Sequence, residues 1–221
     1  MVFFAGFDRS EYPGDSFMRL LRTEAQVAWT GFYLAPAPSH PNRGWMEKRS
    51  FLQELGYGFA PLYVGQQQRP GPGSHILTAI QGRIDARQAV ELARQAGFPD
   101  HSVLYLDIET GPPASDPFFD YYKAWVQGVT DNGFSPGVYV SHLLASDFLA
   151  QDNHAIPWIF HLKFPNGHSF ETPVPTPDPS QSNFTRARMM QYAQQGKIRL
   201  GNRNLEPIDL NSSITVDPAI R

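Results

Sequence analysis

The sequence predicts an α/β protein that folds as an irregular (β/α)8 TIM-type barrel. Short apolar runs alternate with segments of helical spacing, which is typical of a parallel sheet. Eight such runs can be counted, and polar residues collect at their ends, where barrels of this type carry their sites. The length of 221 residues suits one barrel, so a single domain is expected over residues 1–221.

The first half of the chain supplies four predicted strands and three predicted helices. The strands are expected at residues 2–8, 27–34, 59–65 and 103–109, and the helices at 16–25, 45–55 and 85–96. The third helix has a buried stripe formed by Ala89, Val90 and Ala93. Asp85 is expected to cap its start and Gly97 to end it.

The second half begins with the clearest helix and then becomes poor in helix. Asp116 is expected to cap this helix and Pro117 fits its first turn, while its apolar residues recur at i, i+4, i+7 and i+11. A short helix is predicted at 143–149, and strands are predicted at 137–141, 156–162, 189–193 and 207–211. Because the last two connections lack helical patterns, the barrel is expected to be irregular.

Two loops interrupt the alternation of strands and helices. Residues 66–74 contain Gln-Gln-Gln and Pro-Gly-Pro-Gly, and residues 172–180 carry four prolines. Each loop is interpreted either as a rigid surface loop or as a wall of a substrate groove.

Composition excludes several classes of protein. Hydrophobic residues make up 41% of the chain, and the formal net charge is −3 without a basic run, so nucleic-acid binding is not expected. The absence of cysteine excludes disulfides, thiolate catalysis and cysteine-ligated zinc. No apolar stretch reaches the roughly 20 residues of a membrane helix. Residues 1–6 lack a basic segment, so no signal peptide is expected, and the localisation stays open between a specialised secretion route, release by lysis and the cytoplasm.

Asp107 and Glu109 end the apolar run of the predicted strand 103–109 and are separated by one residue. Residues i and i+2 of a strand share a face, with Cα atoms about 6.5–7 Å apart. Neighbouring carboxylates repel each other, so that one can keep its proton while the other is charged. This is the equipment for acid-assisted cleavage of a glycosidic bond. The alternative is a strand end whose acids are solvated or cap the next helix.

Asp8 and Asp209 stand at the ends of the first and eighth predicted strands. Those strands become neighbours when the barrel closes, and the strand of Asp107 lies across from them. The four acids are therefore expected to meet at one mouth of the barrel. Taken singly, an acid such as Asp8 or Asp209 is more often a loop anchor or a helix cap than a catalytic group, and it is their convergence that indicates a site.

Several segments resemble the family 25 glycoside hydrolases, lysozymes that cut peptidoglycan. The similar segments are Gly-Phe-Asp-Arg-Ser at 6–10, Leu-Asp-Ile-Glu at 106–109, Ile-Pro-Trp-Ile at 156–159, Gln-Tyr at 191–192 and Ile-Asp-Leu-Asn at 208–211. A closer resemblance is to the glycoside-hydrolase-like family of unknown function 1906. That resemblance rests on Pro-Leu-Tyr-Val-Gly-Gln-Gln at 61–67, on Gly82 followed by Asp85-Ala86, and on Gly-Phe-Pro at 97–99.

The resemblance implies roles for the acids and for polar and aromatic residues. Glu109 would be the general acid, while Asp107 would stabilise positive charge or orient an N-acetyl group. Asp8 and Asp209 would tune these two acids and hold the sugar. The implied substrate contacts are Tyr63, Gln66, Tyr139, Trp158, Gln191 and Tyr192, the aromatic ones being interpreted alternatively as core or rim packing. Arg9 departs from the lysozyme pattern and is placed to pair with an acid.

Three functions are compatible with the sequence. The first is a glycosidase acting on peptidoglycan or a related polysaccharide, without a cofactor; as a secreted effector it would have an immunity or delivery partner. The second is a non-catalytic carbohydrate-binding barrel. The third is a metal-dependent hydrolase in which the four acids bind Mg²⁺ or Ca²⁺.

Overall fold

The computed structural model describes residues 2–220, in which eight strands of one sheet close into a barrel. The strands in chain order are β1 (Phe4–Asp8), β2 (Trp29–Tyr33), β3 (Gly58–Tyr63), β4 (Val103–Ile108), β5 (Ser135–Ser141), β6 (Ile156–Phe160), β7 (Ser169–Glu171), β8 (Met189–Leu200), β9 (Arg203–Asn204) and β10 (Ile208–Ser213). The helices are α1 (Asp15–Thr23), α2 (Arg49–Glu54), α3 (Ala79–Gln95), α4 (Asp116–Asp131) and α5 (Ala145–Gln151). The predicted α/β barrel is confirmed.

The barrel closes through its last strand. Strands β1 to β6 and then β8 pair in parallel, and β10 completes the ring by pairing antiparallel with both β8 and β1. Residues 161–207, all of which the structure describes, contain β7, a 3₁₀ turn, β8 and β9 but no α-helix. The predicted irregularity is therefore located at the closing strands. The expected eighth strand at 207–211 is present as β10, but it departs from the parallel arrangement of the others.

Strand β8 is longer than the predicted 189–193 because it leaves the barrel and continues. Its second half pairs with β7 and β9 in a small outer sheet. Gln195, at the point of departure, has a left-handed φ of 52°, and register shifts interrupt the pairing of β8 with β10 on either side of Leu210. Phe170 and Ile198 are buried in the outer sheet, which accounts for its packing against the barrel.

Three helix starts differ from the sequence predictions. Helix α3 begins six residues before Asp85, and the side chain of Thr78 caps it by accepting a hydrogen bond from the Gln81 backbone N–H at 3.1 Å. Asp85 instead lies buried inside the helix. Ser115 occupies the N-cap position of α4, one residue before the predicted cap. Helix α2 is shorter than the predicted 45–55, because Trp45 is buried and donates its indole N–H to Arg9 O and Ser10 O.

Aromatic rings fill the barrel interior below its mouth. Trp158 is fully buried and meets the rings of Trp29, Tyr105 and Tyr139 edge to face, with centroids 5.5, 5.8 and 5.1 Å away. Its indole N–H donates to Asn211 Oδ1 at 2.8 Å, which satisfies the one polar atom of the ring. Gly31 on β2 leaves room beside this layer, since a Cβ there would lie 2.7 Å from the Cβ of Asp8.

No helix among residues 2–220 is long and apolar enough to cross a membrane.

Replacing Gly31 by alanine should destabilise the barrel, because the added methyl would overlap the side chain of Asp8. Overpacking of a filled interior typically costs about 1–3 kcal/mol. Urea unfolding of Gly31→Ala measures this loss, and Gly111→Ala is the matched control because nothing lies within 4 Å of its added Cβ. Equal stability of the two variants would show that the space beside Asp8 is not restricted.

Candidate active site

A cavity of about 400 Å³ opens at the carboxyl ends of the parallel strands, as expected for a barrel of this type. All eight barrel strands contribute to its walls, and its four predicted acids lie at the end of β1, the end of β4, directly after β4 and at the start of β10. The lining residues include Asp8, Arg9, Glu11, Tyr33, Leu62, Asp107, Glu109, Tyr139, Trp158, Gln191, Gln194, Gln195 and Asp209. The structure thus brings the four sequence-predicted acids to one cavity.

Asp209 reaches the cavity because β10 is antiparallel. It is the second residue of β10, and its Cα is the register partner of Asp8, the last residue of β1. A strand that runs against its neighbours begins where they end. The sequence analysis placed Asp209 near the end of a strand, whereas it lies near the start of one.

Asp8 is buried and both of its carboxyl oxygens are hydrogen bonded. Tyr33 Oη donates to Oδ1 at 2.9 Å, and Asn211 Nδ2 donates to Oδ2 at 2.7 Å. Burial, the charge of Asp209 and, less strongly, that of Glu109 nevertheless raise the pKa of Asp8 from 3.8 to about 8. The two hydrogen bonds oppose this increase without cancelling it.

Asp209 is also held on both oxygens. Gln191 Nε2 donates to Oδ2 at 3.0 Å, and the Gln195 backbone N–H donates to Oδ1 at 2.7 Å. Tyr139 Oη donates in turn to Gln191 Oε1 at 2.6 Å, which fixes the orientation of the amide. Burial raises the pKa of Asp209, and the two hydrogen bonds to its carboxylate lower it.

Asp107 differs from these two acids because its carboxyl lacks a partner. It is 3% exposed, and its Oδ1 is buried with no hydrogen bond among the described residues. Burial, the charge of Glu109 and that of Asp8 raise the pKa of Asp107 well above its usual range. A buried carboxylate without a donor is costly, so this group favours its protonated form at rest.

Glu109 is the most exposed of the four acids and lies at the rim of the cavity. The pocket walls desolvate its carboxyl, and this effect, together with the charge of Asp209, raises the pKa of Glu109. An accessible acid whose pKa is raised holds its proton to a higher pH than a free carboxyl, which suits it to donate that proton to a bound molecule.

Three of the six predicted substrate contacts line the cavity, namely Tyr139, Trp158 and Gln191. The structure does not bring Tyr63, Gln66 and Tyr192 to it. Successive residues of a strand face opposite sides. Because Leu62 and Gln191 point into the cavity, their neighbours Tyr63 and Tyr192 point away.

The three excluded residues make internal contacts instead. Tyr63 Oη donates to Gln88 Oε1 on α3 at 2.6 Å, and Tyr192 Oη donates to Pro175 O at 2.7 Å. Gln66 is buried and donates through Nε2 to Asp85 Oδ2 at 3.1 Å. These contacts correct the interpretation of the three side chains as groups that face the substrate.

Sequence reasoning did not assign Tyr33, Asn211, Gln67 and Gln195 to the site. Asn211 carried a signal, since it follows Asp209 by two residues on the same strand. Arg9 lines the cavity, but its guanidinium pairs with Glu206 at 2.9 Å and not with any of the four acids. Within residues 2–220, no group of three or more His, Asp or Glu side chains is arranged to hold a metal ion.

The raised pKa values make stability depend on pH. Asp8 ionises with difficulty in the folded protein, so its contribution to the free energy of unfolding should fall as pH rises from about 4 to about 8. In Asp8→Asn this loss should shrink, because no charge then forms; the Tyr33 hydroxyl can accept a hydrogen bond from the new amide. Urea unfolding at pH 5 and pH 8 measures the difference, with the surface variant Asp120→Asn as control. An unchanged pH dependence in Asp8→Asn would contradict the assignment.

The family described as "Rv2525c-like, glycoside hydrolase-like domain" matches residues 21–213. No curated protein sequence matches the chain. Among solved structures, an uncharacterised protein from B. stearothermophilus is similar, with a TM-score of 0.69 and 22% identity over 94% of this chain and 94% of that one.

Two lysozymes share the fold as well. A bacterial lysozyme from Streptomyces coelicolor has a TM-score of 0.65 and 14% identity over 98% of this chain and 96% of that one. A family GH25 lysozyme from Aspergillus fumigatus has a TM-score of 0.59 and 10% identity, with all of both chains covered. The two resemblances stated from the sequence are confirmed. Because the family match spans most of the chain, this protein belongs to the Rv2525c-like glycoside hydrolase-like family, and its barrel has the same fold as the two lysozymes.

Proposed function

We propose that this protein is a glycoside hydrolase that cleaves bacterial cell-wall glycan, with peptidoglycan as substrate and a muramidase-type bond as its target. One observation carries the proposal. Of four carboxyl groups at one barrel mouth, Asp8 and Asp209 are occupied by internal hydrogen bonds, while Asp107 Oδ1 has no partner and Glu109 is exposed. This leaves an adjacent pair of acids available to a bound sugar.

Glu109 is assigned as the general acid. Its accessible position at the rim allows it to reach the oxygen of a glycosidic bond, and its raised pKa keeps the proton available. Protonation of that oxygen makes it a better leaving group as the bond to the sugar breaks.

Asp107 is assigned to the sugar side of the broken bond. Its carboxyl lines the cavity and has no hydrogen-bond donor among the described residues, so it can accept a hydrogen bond from a substrate donor, such as the N–H of an acetamido group. That contact would orient the acetamido oxygen toward the reacting carbon. Once ionised, the carboxylate would stabilise positive charge on the sugar ring.

The shape of the mouth supports a polymeric substrate. A second cavity of about 410 Å³ lies beside the first, and the two share Glu109, Tyr139 and Gln194. Its other walls include Pro112, Leu143 and Phe160. A glycan chain running through both cavities would pass Glu109 along its length, as cleavage within a chain requires. Tyr139, Trp158 and Gln191 are proposed to contact the sugar in the first cavity.

The substrate class rests on the fold relatives. Two structures that share the barrel are described as lysozymes, which supports a cell-wall glycan over other polysaccharides. An effector role against rival bacteria, with an immunity or delivery partner, is a further part of the proposal that these similarities do not address.

A non-catalytic carbohydrate-binding barrel is the second candidate. The saturated hydrogen bonds of Asp8 and Asp209 favour it, because half of the acids then have a structural role. The aromatic rings favour it less. Trp158 is fully buried and Tyr139 is partly buried, so the cavity offers little open aromatic face for stacking on a sugar.

Replacing Glu109 by glutamine should abolish most hydrolysis, because the amide cannot donate a proton to the leaving oxygen. A loss of about 10²–10⁴-fold in kcat is expected for a general acid. Release of reducing ends from purified peptidoglycan measures the rate, and mass spectrometry of the products identifies the bond. Glu11→Gln is the matched control, since Glu11 lines the same cavity and has no assigned role.

A Glu109→Gln protein that releases reducing ends as fast as the parent would refute the assigned acid. Binding of glycan by the parent without any released product would establish the second candidate in place of the first.

A further inference from the structure

Three consecutive glutamines, Gln66 to Gln68, follow β3, and their side-chain amides hydrogen bond to other parts of the protein. The middle one contacts the backbone that carries the two available acids. Gln67 Nε2 donates to Asp107 O at 2.8 Å, and Gln67 Oε1 accepts from the Glu109 backbone N–H at 3.1 Å. One side-chain amide thus hydrogen bonds to two backbone groups, one on each side of Ile108.

These two backbone groups lie beyond the end of the neighbouring strand β3. The ladder between β3 and β4 contains only the pairs Leu62 with Tyr105 and Tyr63 with Leu106, whereas on the other side β4 pairs with β5 as far as Ile108. Beyond Leu106 the edge of β4 that faces β3 therefore has no strand partner. The amide of Gln67 supplies the missing donor and acceptor in the pattern of a sheet ladder.

From this geometry we infer that Gln67 is a positioning residue: its amide extends the sheet past the end of β3 and fixes the directions in which Asp107 and Glu109 project into the cavity. The assignment rests on the proposed function for its catalytic consequence, but not for its structural one. The direction of a side chain on a strand is set by the backbone that carries it. Loosening this segment would therefore misplace both carboxyls together.

The backbone of Gln67 is itself held by hydrogen bonds. The residue is 3% exposed, its backbone N–H donates to Ser74 O at 2.7 Å, and its carbonyl contacts His75 Nδ1 at 2.8 Å. The preceding glutamine is anchored by Asp85, a buried residue of α3 that also accepts hydrogen bonds from Gln81 and Tyr121. This network gives a role to the buried aspartate that the sequence analysis took for a helix cap.

Gln68 provides a matched comparison. Its Nε2 donates to Pro113 O at 2.9 Å, and its Oε1 accepts from the Ser115 backbone N–H at 2.7 Å. It therefore makes the same kind of two-point contact with the same loop, but several residues beyond the acids. Removing Gln68 should loosen the entry to α4 and leave the end of β4 in place.

The test compares Gln67→Leu with Gln68→Leu in the full chain. Amide hydrogen exchange at Glu109 should accelerate about tenfold in Gln67→Leu, because its N–H loses its acceptor, and should stay at the parent rate in Gln68→Leu. With purified peptidoglycan, Gln67→Leu should lose about 100-fold in kcat with little change in KM, as expected for misplaced catalytic groups. Gln68→Leu should retain most of kcat.

Gln67→Asn is the second variant if Gln67→Leu does not fold. It keeps a polar amide in the buried position, but it is one methylene too short to span both backbone groups, so the same changes are expected. Parent-like exchange at Glu109 in the Gln67 variants, or an equal loss of kcat in the Gln68 variant, would overturn the inference. If the parent itself releases no reducing ends, the proposed function fails while the exchange experiment still decides the role of Gln67.

Discussion

Burial of four neighbouring carboxyl groups at one mouth of the barrel is the constraint on which the arrangement of this site depends. Asp8 and Asp209 are register partners across the closing strands, while Asp107 lies near the end of β4 and Glu109 directly follows that strand. Burial raises the pKa of all four acids, and neighbouring carboxylates raise it further for Asp8, Asp107 and Glu109. Ionising every one of them at once would be expensive, so protons must stay in the cavity toward neutral pH.

Hydrogen bonding divides the four acids into two kinds. Tyr33 and Asn211 bind Asp8, while Gln191 and Gln195 bind Asp209, so these two carboxyls are fixed by the barrel wall. The remaining two have no such side-chain donors among the described residues, and instead the backbone that carries them is fixed by an amide. The two fixed carboxyls therefore lie beside a second pair, Asp107 and Glu109. The backbone of this second pair is held by the amide of Gln67, and both of its carboxyls line the cavity. The same division explains how a barrel can tolerate so many acids at one end: the hydrogen bonds offset part of the cost of burial.

Much of this architecture was predictable from the sequence because strands and helices have short periods. Apolar runs marked every barrel strand, and the i, i+2 spacing placed Asp107 and Glu109 together. The same period could have excluded Tyr192, since Gln191 and Tyr192 are adjacent on one strand and cannot both face the interior. Asp85 was misassigned because its capping preference is local, whereas two of its three actual donors, Gln66 and Tyr121, lie 19 and 36 residues away.

The antiparallel direction of β10 and the contacts of Gln67 depend on closure of the whole barrel. The amide of Gln67 meets backbone groups 40 and 42 residues later in the chain, a separation that carries no periodic signal. The sequence could mark the Gln-Gln-Gln segment as unusual, but the partners of its amides depend on the end of β3 falling short of the end of β4.

The most direct measurement of the central claim is a titration of the aspartate and glutamate side-chain carboxyl carbons by NMR in the folded protein. The account predicts that Asp8 titrates near pH 8 and that the Asp107 carboxyl carbon retains the chemical shift of a protonated acid at pH values where surface aspartates are fully ionised. If all four carboxyls of the cavity ionised together with the surface aspartates, the mouth would hold no proton, and both the electrostatic account and the assignment of Glu109 as an acid would be contradicted.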